Sequence, residues 1–402
     1  MATTSLLYHA FGLQEYQILS TEYGGGETVF HVKLKNSKRK CAQCQCRSVK
    51  KNGAFQRRFR EVPIGARKTW LVLHGHRHLC CRCQANLREH IGFSGPKKRH
   101  TRRFSRYVLT LARMMALLHV SCLLGTGWDM IKDIFKENLK RRAKKRKISK
   151  VRYIAIDEFA VRKGHNYISI IMDLESGMVL NASLGRDGKA LLPFLYRLKR
   201  AQAPLKAVAV DMSPAFLKAV KTVFPNLDVV HDPYHVMALA SRAVDTVRRD
   251  LVRGLDKEGK KVVKGSRFLL LKGLEKLSAS HLERLTVLME SNRPLYIAYL
   301  LKEDLRRLWD HRDSRSALRF IVHWLERAVE SGLKPFVRLA LTIIRHLDQL
   351  LSYFSHRIST GPLEGLNNKI KTLKRQAYGY RDMEFFFLRI LFIHESIYSI
   401  TG

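Results

Sequence analysis

The chain has 402 residues, and 74 Lys and Arg against 34 Asp and Glu give it a formal net charge of +40 and a pI near 10.3. So strong a positive charge attracts polyanions and makes their binding depend on salt, so nucleic acid is the expected partner. An anionic membrane surface is the alternative, but no basic amphipathic segment stands out as an anchor. The length and the 46% hydrophobic content provide core for two or three domains.

The beginning of the chain indicates a cytoplasmic protein. Its first ten residues contain no basic segment followed by an apolar stretch, which argues against a signal peptide. The most apolar segment, residues 107–124, carries Arg113 and His119, which is typical of a buried helix rather than a membrane span. Six of the seven cysteines fall within residues 41–83, and this clustering favours metal ligands over disulfides.

Two CxxC pairs predict a metal-bound N-terminal domain. Each pair places two thiolates on one tight turn, and two such turns form a closed tetrahedral S4 zinc site. Residues 55–62 and 69–73 between the pairs have strand character and are separated by a turn, so a zinc ribbon is expected within a DNA-binding domain at residues 1–95. The four expected ligands are Cys41, Cys44, Cys80 and Cys83.

Other residues leave the exact ligand set open. Cys46 and Cys81 are surplus, so either pair could bind metal through a neighbour, and His74, His76 and His78 share one face of a strand and could substitute. A set of buried, metal-free thiols is the remaining alternative.

A helical region follows the predicted ribbon. Helical periodicity covers residues 107–118, a break falls near residues 121–127, and a second helix is predicted at residues 128–140. Helix, short turn and helix on a basic background predict a helix-turn-helix DNA-binding region over residues 96–148, with the second helix as the recognition element. A plain helical hairpin has the same pattern.

Two basic runs flank these helices. One lies at residues 97–106 and the other at residues 140–147. Such runs are typical of solvated linkers, and here they are also expected to follow DNA phosphates. The cations expected to bind DNA are Lys97, Lys98, Arg99, Arg102, Arg103, Lys144 and Lys145.

From residue 151 the pattern changes to strands. Strands are predicted at residues 151–157, 166–173, 178–183, 205–211 and 227–231, with helices at residues 189–201 and 214–224. The order βββαβαβ is that of a ribonuclease-H-like domain, and residues 149–235 are assigned to the first part of a catalytic core. The fold class expected for the whole chain is multidomain α/β: this catalytic domain with an all-helical insertion, preceded by the zinc ribbon and the helix-turn-helix module.

Two predicted strands of this domain end in a carboxylate, at Asp157 and Asp211. In this topology the first and fourth strands are neighbours, so the two carboxylates are expected to lie close enough to share a metal ion. Glu158 is expected to point the opposite way, because side chains alternate along a strand. An aspartate at a strand end is more often a turn former, but two of them on these two strands favour a catalytic role.

The rest of the chain is helical in pattern. Residues 236–355 are predicted to be an all-helical insertion that contacts DNA or another copy, although a solvated bundle has the same pattern. Residues 356–402 are assigned to the C-terminal helices of the catalytic core, and Ser359 or Thr360 can cap the first of them. Polar and basic residues recur on this helix at spacings of three and four: Glu364, Asn367, Asn368, Lys371 and Lys374 or Arg375. A glutamate on a helix is most often solvated, but this one lies beside Asn and Lys side chains that could hold a phosphate backbone. It is therefore the candidate for a third metal-binding carboxylate, and the stripe after it is expected to bind DNA backbone.

The chain resembles the bacterial DDE transposases of the ISL-three insertion-sequence family over nearly its whole length. The resemblance rests on the cysteine pairs and on the segments Ala155-Ile-Asp-Glu-Phe, Ala209-Val-Asp-Met-Ser and Val229-Val-His-Asp-Pro-Tyr-His-Val. The most specific segment is Ser359-Thr-Gly-Pro-Leu-Glu-Gly-Leu-Asn-Asn-Lys-Ile-Lys, which continues to Tyr380.

This resemblance implies that Asp157, Asp211 and Glu364 are the catalytic triad. Two Mg²⁺ (or Mn²⁺) ions on these carboxylates would activate a water or a DNA 3′-hydroxyl and stabilise the leaving oxygen. The N-terminal modules would bind the terminal inverted repeats of the element, with double-stranded target DNA as a further partner. Because two DNA ends must be handled together, a dimer or larger assembly is the hypothesis. The alternatives are a non-catalytic DNA-binding regulator and a ribonuclease-H-like nuclease without strand transfer.

Overall fold

The computed structural model describes residues 6–35, 40–41, 43–162, 166–255, 257, 260, 263, 265–290 and 292–395. Its chain divides into two compact units. The described residues of the first unit are those up to 144, with the short segments 376–379 and 394–395; the second unit contains those in 145–375 and 380–393.

The first unit contains a five-stranded sheet. Its strands are β1 (Tyr16–Gly24), β2 (Glu27–Leu34), β3 (Val49–Ile64), β4 (Arg67–Cys80) and β5 (Asn86–Arg88). The order is β1-β2-β4-β3, with β5 paired to β4, and β2 runs parallel to β4. The antiparallel pair β3–β4 confirms the two strands predicted for the ribbon, and both are longer than the sequence pattern indicated.

Four helices complete the described part of the first unit: α1 (Leu6–Phe11), α2 (Arg102–Met114), α3 (Leu117–Leu124) and α4 (Trp128–Lys144). The Thr101 hydroxyl accepts a hydrogen bond from the Phe104 amide and caps α2. The predicted start of a helix at Trp128 is confirmed. The helix predicted before it was wrong in extent: the chain is extended at Ala116, and a separate helix ends at Gly125, whose left-handed backbone (φ 54°) suits glycine.

The second unit is built on another five-stranded sheet, with the strands β6 (Tyr153–Arg162), β7 (Asn166–Asp173), β8 (Val179–Leu184), β9 (Ala207–Val210) and β10 (Asp228–His231). The order is β10-β9-β6-β7-β8. β6 and β9 are parallel neighbours, as expected for the first and fourth strands, and β7 and β8 form the predicted antiparallel hairpin.

Helices pack on both faces of this sheet. One face carries α5 (Leu192–Arg200) and α6 (Pro214–Val223), which share a core with Ile154, Ile156 and Val210. On the other face are α14 (Gly361–Gln376) and α15 (Met383–Leu391). Leu363, Leu366, Ile370 and Leu373 of α14 pack there against Ala155 and Ala209, because apolar residues at spacings of three and four form one stripe on a helix.

Between β10 and α14 the regular elements of the described residues are helical. They are α7 (Pro233–Gly254), α8 (Arg267–Leu271), α9 (Ala279–Glu290), α10 (Arg293–Arg306), α11 (Ser314–Glu330), α12 (Lys334–Arg345) and α13 (Leu347–His356). These helices form their own core around Trp324, whose indole N–H donates to the Leu301 carbonyl at 2.8 Å. Short 3-10 turns lie at Gly188–Ala190, Leu274–Lys276, Arg307–Asp310 and Ile393–Glu395. No described helix is long and apolar enough to cross a membrane.

Candidate functional site

The register of two parallel strands brings Asp157 and Asp211 side by side at the carboxyl end of β9. The prediction that both strands end at these carboxylates was wrong for Asp157, because β6 continues in its pairing with β7 as far as Arg162, whereas Asp211 directly follows the last residue of β9. Ala155 pairs with Ala209 and Ile156 with Val210, so the residues that follow are level with each other. Ala155 and Ala209 face the α14 side, and side chains alternate along a strand. Both carboxylates therefore lie on the α14 side, and Glu158 belongs to the opposite face, as the sequence predicted.

Both aspartates are held by nearby hydrogen-bond donors. Asp157 accepts from the amide of Glu158 at 2.7 Å and from the side-chain amide of Asn367 at 2.9 Å. Asp211 accepts from the amide of Ser213 at 3.0 Å. Burial nevertheless raises the pKa of both carboxyl groups, and it outweighs these hydrogen bonds and the nearby His235 imidazole, which act in the other direction. Their charges are thus poorly compensated within the protein.

Glu364 lies on the first turn of α14 and is exposed. Asn367, which follows it by three residues and so lies on the same side of the helix, is the residue that contacts Asp157. Among the described residues, the carboxylate oxygens of Asp157, Asp211 and Glu364 do not all lie within 4.8 Å of one another. The four cysteine sulfurs of the first unit do meet this distance. The protein thus places two acids together and the third on an adjacent helix.

The predicted cysteine pairs do converge. The ligand atoms of Cys41, Cys44, Cys80 and Cys83 all lie within 4.8 Å of one another, with 3.5 Å between Cys41 Sγ and Cys83 Sγ and also between Cys44 Sγ and Cys80 Sγ. A tetrahedral zinc ion with Zn–S bonds of about 2.3 Å separates its sulfurs by about 3.8 Å. The backbone amides of Cys83 and Cys44 lower the pKa of Cys80, to about 6, and that of Cys41. The backbone amides of Cys46 and Ala85 act in the same direction on Cys44 and Cys83, but burial and the neighbouring sulfurs raise the pKa of these two thiols, that of Cys44 to about 12. These four sulfurs could hold a metal ion.

The alternative zinc ligands make other contacts. His74 hydrogen-bonds to His31 at 2.8 Å and to Gln56 at 3.2 Å, and His78 Nε2 lies 3.8 Å from a Glu89 carboxylate oxygen. Cys81 is exposed. In the described part of the chain, none of these side chains joins the group of four sulfurs.

Two of the cations expected to bind DNA, Lys98 and Arg102, line a basic cavity in the first unit. It has a volume of about 380 Å³ and lies between α2, α4 and the loop before α2. The charged side chains of its lining are Lys98, Arg102, Arg106, Arg141 and Glu137. Glu137 forms an ion pair with Lys98, so the lining keeps a surplus of positive charge. Lys97, Arg99, Lys144 and Lys145 are exposed.

Three other residues expected to bind DNA have partners within the protein. Arg103 pairs with the buried Glu61 at 3.3 Å, Lys374 donates to the Val161 carbonyl, and Asn367 contacts Asp157. The remaining members of the stripe, Asn368, Lys371 and Arg375, are exposed. Periodicity could place these residues on one side of a helix, but it could not show which of them the protein itself uses.

Asp232 and His235 follow β10, and the sequence left their role open between support of the fold and positioning of the residues around the site. Asp232 is buried and caps α7 through the amide of Tyr234, at 2.7 Å. His235 lies in the first turn of that helix, close enough to lower the pKa of both Asp157 and Asp211. The sequence feature that could have identified these two residues is their position just after β10, the strand that pairs with β9.

Two comparisons of the amino-acid sequence find transposases. A family model of the DDE, ISL3 type, described as a transposase, matches residues 154–390. The transposase for insertion sequence element IS1001 of Bordetella parapertussis is 33% identical over 354 residues, which is 87% of each chain. The transposase for element IS1557 of Mycobacterium tuberculosis is 27% identical over 378 residues, 85% of this chain and 83% of the relative. Among solved structures, the Drosophila P element transposase strand transfer complex aligns with a TM-score of 0.36 and 11% identity over 73% of this chain and 95% of that chain.

Proposed function

The chain belongs to the ISL3 family of insertion-sequence transposases, and from this premise we propose that it cuts and joins DNA with Asp157, Asp211 and Glu364 as the ligands of divalent metal ions. The proposal includes a ribonuclease-H-like core at residues 149–235 and 356–402, interrupted by a helical insertion at residues 236–355. The observation that carries it is the pair of neighbouring aspartates, Asp157 within β6 and Asp211 directly after the parallel strand β9, with Asp157 in contact with the helix that bears Glu364.

The residues around Asp157 and Asp211 fit a hard divalent cation. Mg²⁺ and Mn²⁺ prefer oxygen ligands, and two buried carboxylates with raised pKa values offer oxygen donors whose charge lacks compensation. Such ions, when bound, activate an attacking water or 3′-hydroxyl and stabilise the leaving oxygen. Asn367 and the Ser213 amide orient the two aspartates through the oxygens that they bind. Glu364 would join them from α14 when DNA is present.

We further propose that Cys41, Cys44, Cys80 and Cys83 hold a structural zinc ion. A closed S4 site leaves no open position for a reacting group, so its role would be to stabilise the β3–β4 ribbon. That ribbon and the helices of residues 96–148, in a helix-turn-helix arrangement, would bind the terminal inverted repeats.

The basic cavity between α2 and α4 is proposed to hold a backbone phosphate of that DNA. Arg102 and Arg106 are four residues apart, so both side chains leave α2 on the same side, toward Arg141 of α4. A phosphate accepts hydrogen bonds from arginine in a fork geometry and could displace Glu137 from Lys98. Contacts of this kind fix a protein on DNA without reading its sequence.

The test is cleavage of a plasmid that carries the gene and its genomic flanks, with Mg²⁺ or with EDTA. We expect metal-dependent 3′-hydroxyl ends at the flanking repeats, mapped at nucleotide resolution, and none with Asp211→Asn. Asp228→Asn is the matched control, because Asp228 lies at the other end of β10 and pairs with His356 at the surface. Specific binding without cleavage by the unchanged chain, or ends that persist with Asp211→Asn, would contradict the proposal. Sedimentation on paired DNA ends tests the expected dimer or larger assembly, and monomers alone would count against it.

A further inference from the structure

A buried carboxylate outside the proposed triad connects two of the elements that carry it. Asp232 is 3% exposed and lies directly after β10. One of its oxygens accepts from the Tyr234 amide at 2.7 Å. The other accepts from the Thr360 amide at 2.8 Å and also from the Thr360 hydroxyl. Both oxygens are therefore occupied, and one of them is used entirely by a residue 128 positions away.

The Thr360 end of this contact determines where α14 begins. Thr360 is 5% exposed and immediately precedes Gly361, the first residue of α14. Its carbonyl accepts from the Leu363 amide at 2.8 Å, which forms the first turn of the helix. Glu364 follows Thr360 by four residues, so a shift of Thr360 along the helix axis moves Glu364 with it.

The Asp232 end is fixed to the sheet beside the second acid. β10 and β9 are parallel, with His231 level with Val210, so Asp232 is level with Asp211. On its other side α14 is tied to the first acid through Asn367. The apolar stripe of α14 packs on the sheet between these two contacts, but apolar packing has no direction and tolerates sliding along the axis. Directional hydrogen bonds at Thr360 and Asn367 remove that freedom.

We propose that Asp232 and Thr360 are positioning residues that set the place of Glu364 along the α14 axis relative to Asp157 and Asp211. This inference rests on the proposed function, because it assumes that the three acids share metal ions. It assigns Asp232 a role beyond capping α7. The cap uses one carboxylate oxygen, which accepts from the Tyr234 amide, and Thr360 binds the other oxygen. A substitution of Thr360 therefore tests the positioning role and leaves the α7 cap in place.

The test uses Thr360→Val, which keeps the side-chain shape and the amide but removes the hydroxyl donor, and Thr360→Ser, which restores that donor. Mn²⁺ binding is measured on the full chain bound to a duplex that ends at the cleaved 3′ terminus, with duplex alone subtracted. We expect Thr360→Val to weaken Mn²⁺ binding several-fold and to slow cleavage roughly tenfold to a hundredfold, since a misplacement of about 1 Å can cost that much. Thr360→Ser and Asp228→Asn should behave like the unchanged chain.

A double variant separates positioning from a general loss of structure. If Thr360 acts through Glu364, then Thr360→Val should have no further effect on Mn²⁺ binding in a Glu364→Gln background. An equal additional loss in that background would overturn the inference, as would unchanged Mn²⁺ binding by Thr360→Val or a Thr360→Ser variant as impaired as Thr360→Val. If Glu364→Gln alone leaves cleavage and Mn²⁺ binding intact, the proposed triad itself fails.

Discussion

The two candidate metal sites of this molecule differ in how complete they are in the folded chain. The four cysteine sulfurs already lie within 4.8 Å of one another, on two tight turns connected by the β3–β4 ribbon. Among the described residues, the three carboxylates of the second unit do not meet this distance: Glu364 is exposed on α14, while Asp157 lies within β6 and Asp211 directly after β9. A closed set of ligands suits a structural ion, and an incomplete one suits a site that must admit a substrate.

Substitutions of the three acids should have the largest effect, and they test whether Glu364 joins the two aspartates only when DNA is bound. Replacing any one of the three acids, as Asp157→Asn, Asp211→Asn or Glu364→Gln, should slow cleavage by roughly a thousandfold or more, as for other catalytic residues that act as a unit. Without DNA, only the two aspartate variants should weaken Mn²⁺ binding, because Glu364 does not yet join them. Calorimetric titration of Mn²⁺ into each variant measures this.

A different result would show that the acidic site, like the cysteine site, has all its ligands in place before DNA binds. If Glu364→Gln weakens Mn²⁺ binding by the DNA-free protein as much as Asp211→Asn does, then the acidic site is complete before DNA binds. Asp228→Asn, which removes a surface carboxylate from the same sheet, is the control and should bind Mn²⁺ like the unchanged chain.

The cysteine site should be disrupted by a single substitution. Cys80→Ser removes one of four ligands, and structural zinc contributes on the order of 10 kcal/mol to the folding of small domains. We expect loss of bound zinc and a tenfold or greater loss of DNA affinity, with Mn²⁺ binding by the second unit retained. Zinc content per chain, measured by mass spectrometry, checks the first point. Cys81→Ser should keep its zinc, because Cys81 is exposed and outside the cluster; equal loss from both variants would mean that the ligand set is wrong.

The same contrast explains how much could be predicted from the sequence. The cysteine pairs are local signals, and strands β6 and β9 could be paired because the predicted element order βββαβαβ makes the first and fourth strands neighbours. The polar side of α14 was predicted as one DNA-binding stripe, yet Asn367 and Lys374 bind Asp157 and Val161. Periodicity reports which side of a helix a residue occupies but not what packs against that side. For the same reason the Asp232–Thr360 contact could not be predicted across 128 positions.

A smaller effect would separate binding from chemistry. Arg102→Gln with Arg106→Gln removes two charges from the basic cavity of the first unit, and we expect a roughly tenfold weaker affinity for DNA at moderate salt. The slope of log affinity against log salt should become shallower by about 0.9 for each phosphate that the protein no longer neutralises. Arg113→Gln removes a charge from the same helix outside the cavity and is the matched control. A salt slope that the double variant shares with the unchanged chain would show that no phosphate occupies the cavity.

The smallest effect concerns the stability of the acidic site without metal. Burial raises the pKa of Asp157 and Asp211, so the folded chain binds protons more tightly there than the unfolded chain does. The free energy of unfolding therefore falls as pH rises from the usual aspartate value of about 3.9 through the raised values, and the loss persists at neutral pH. Asp211→Asn removes one of the two charges, so the metal-free variant should melt at a higher temperature than the unchanged chain at neutral pH. That difference should close as the pH is lowered below about 3.9, where both aspartates are protonated in either state. Thermal unfolding in EDTA across this pH range measures the difference. A variant that is less stable than the unchanged chain at every pH would mean that the Asp211 carboxylate stabilises the metal-free fold.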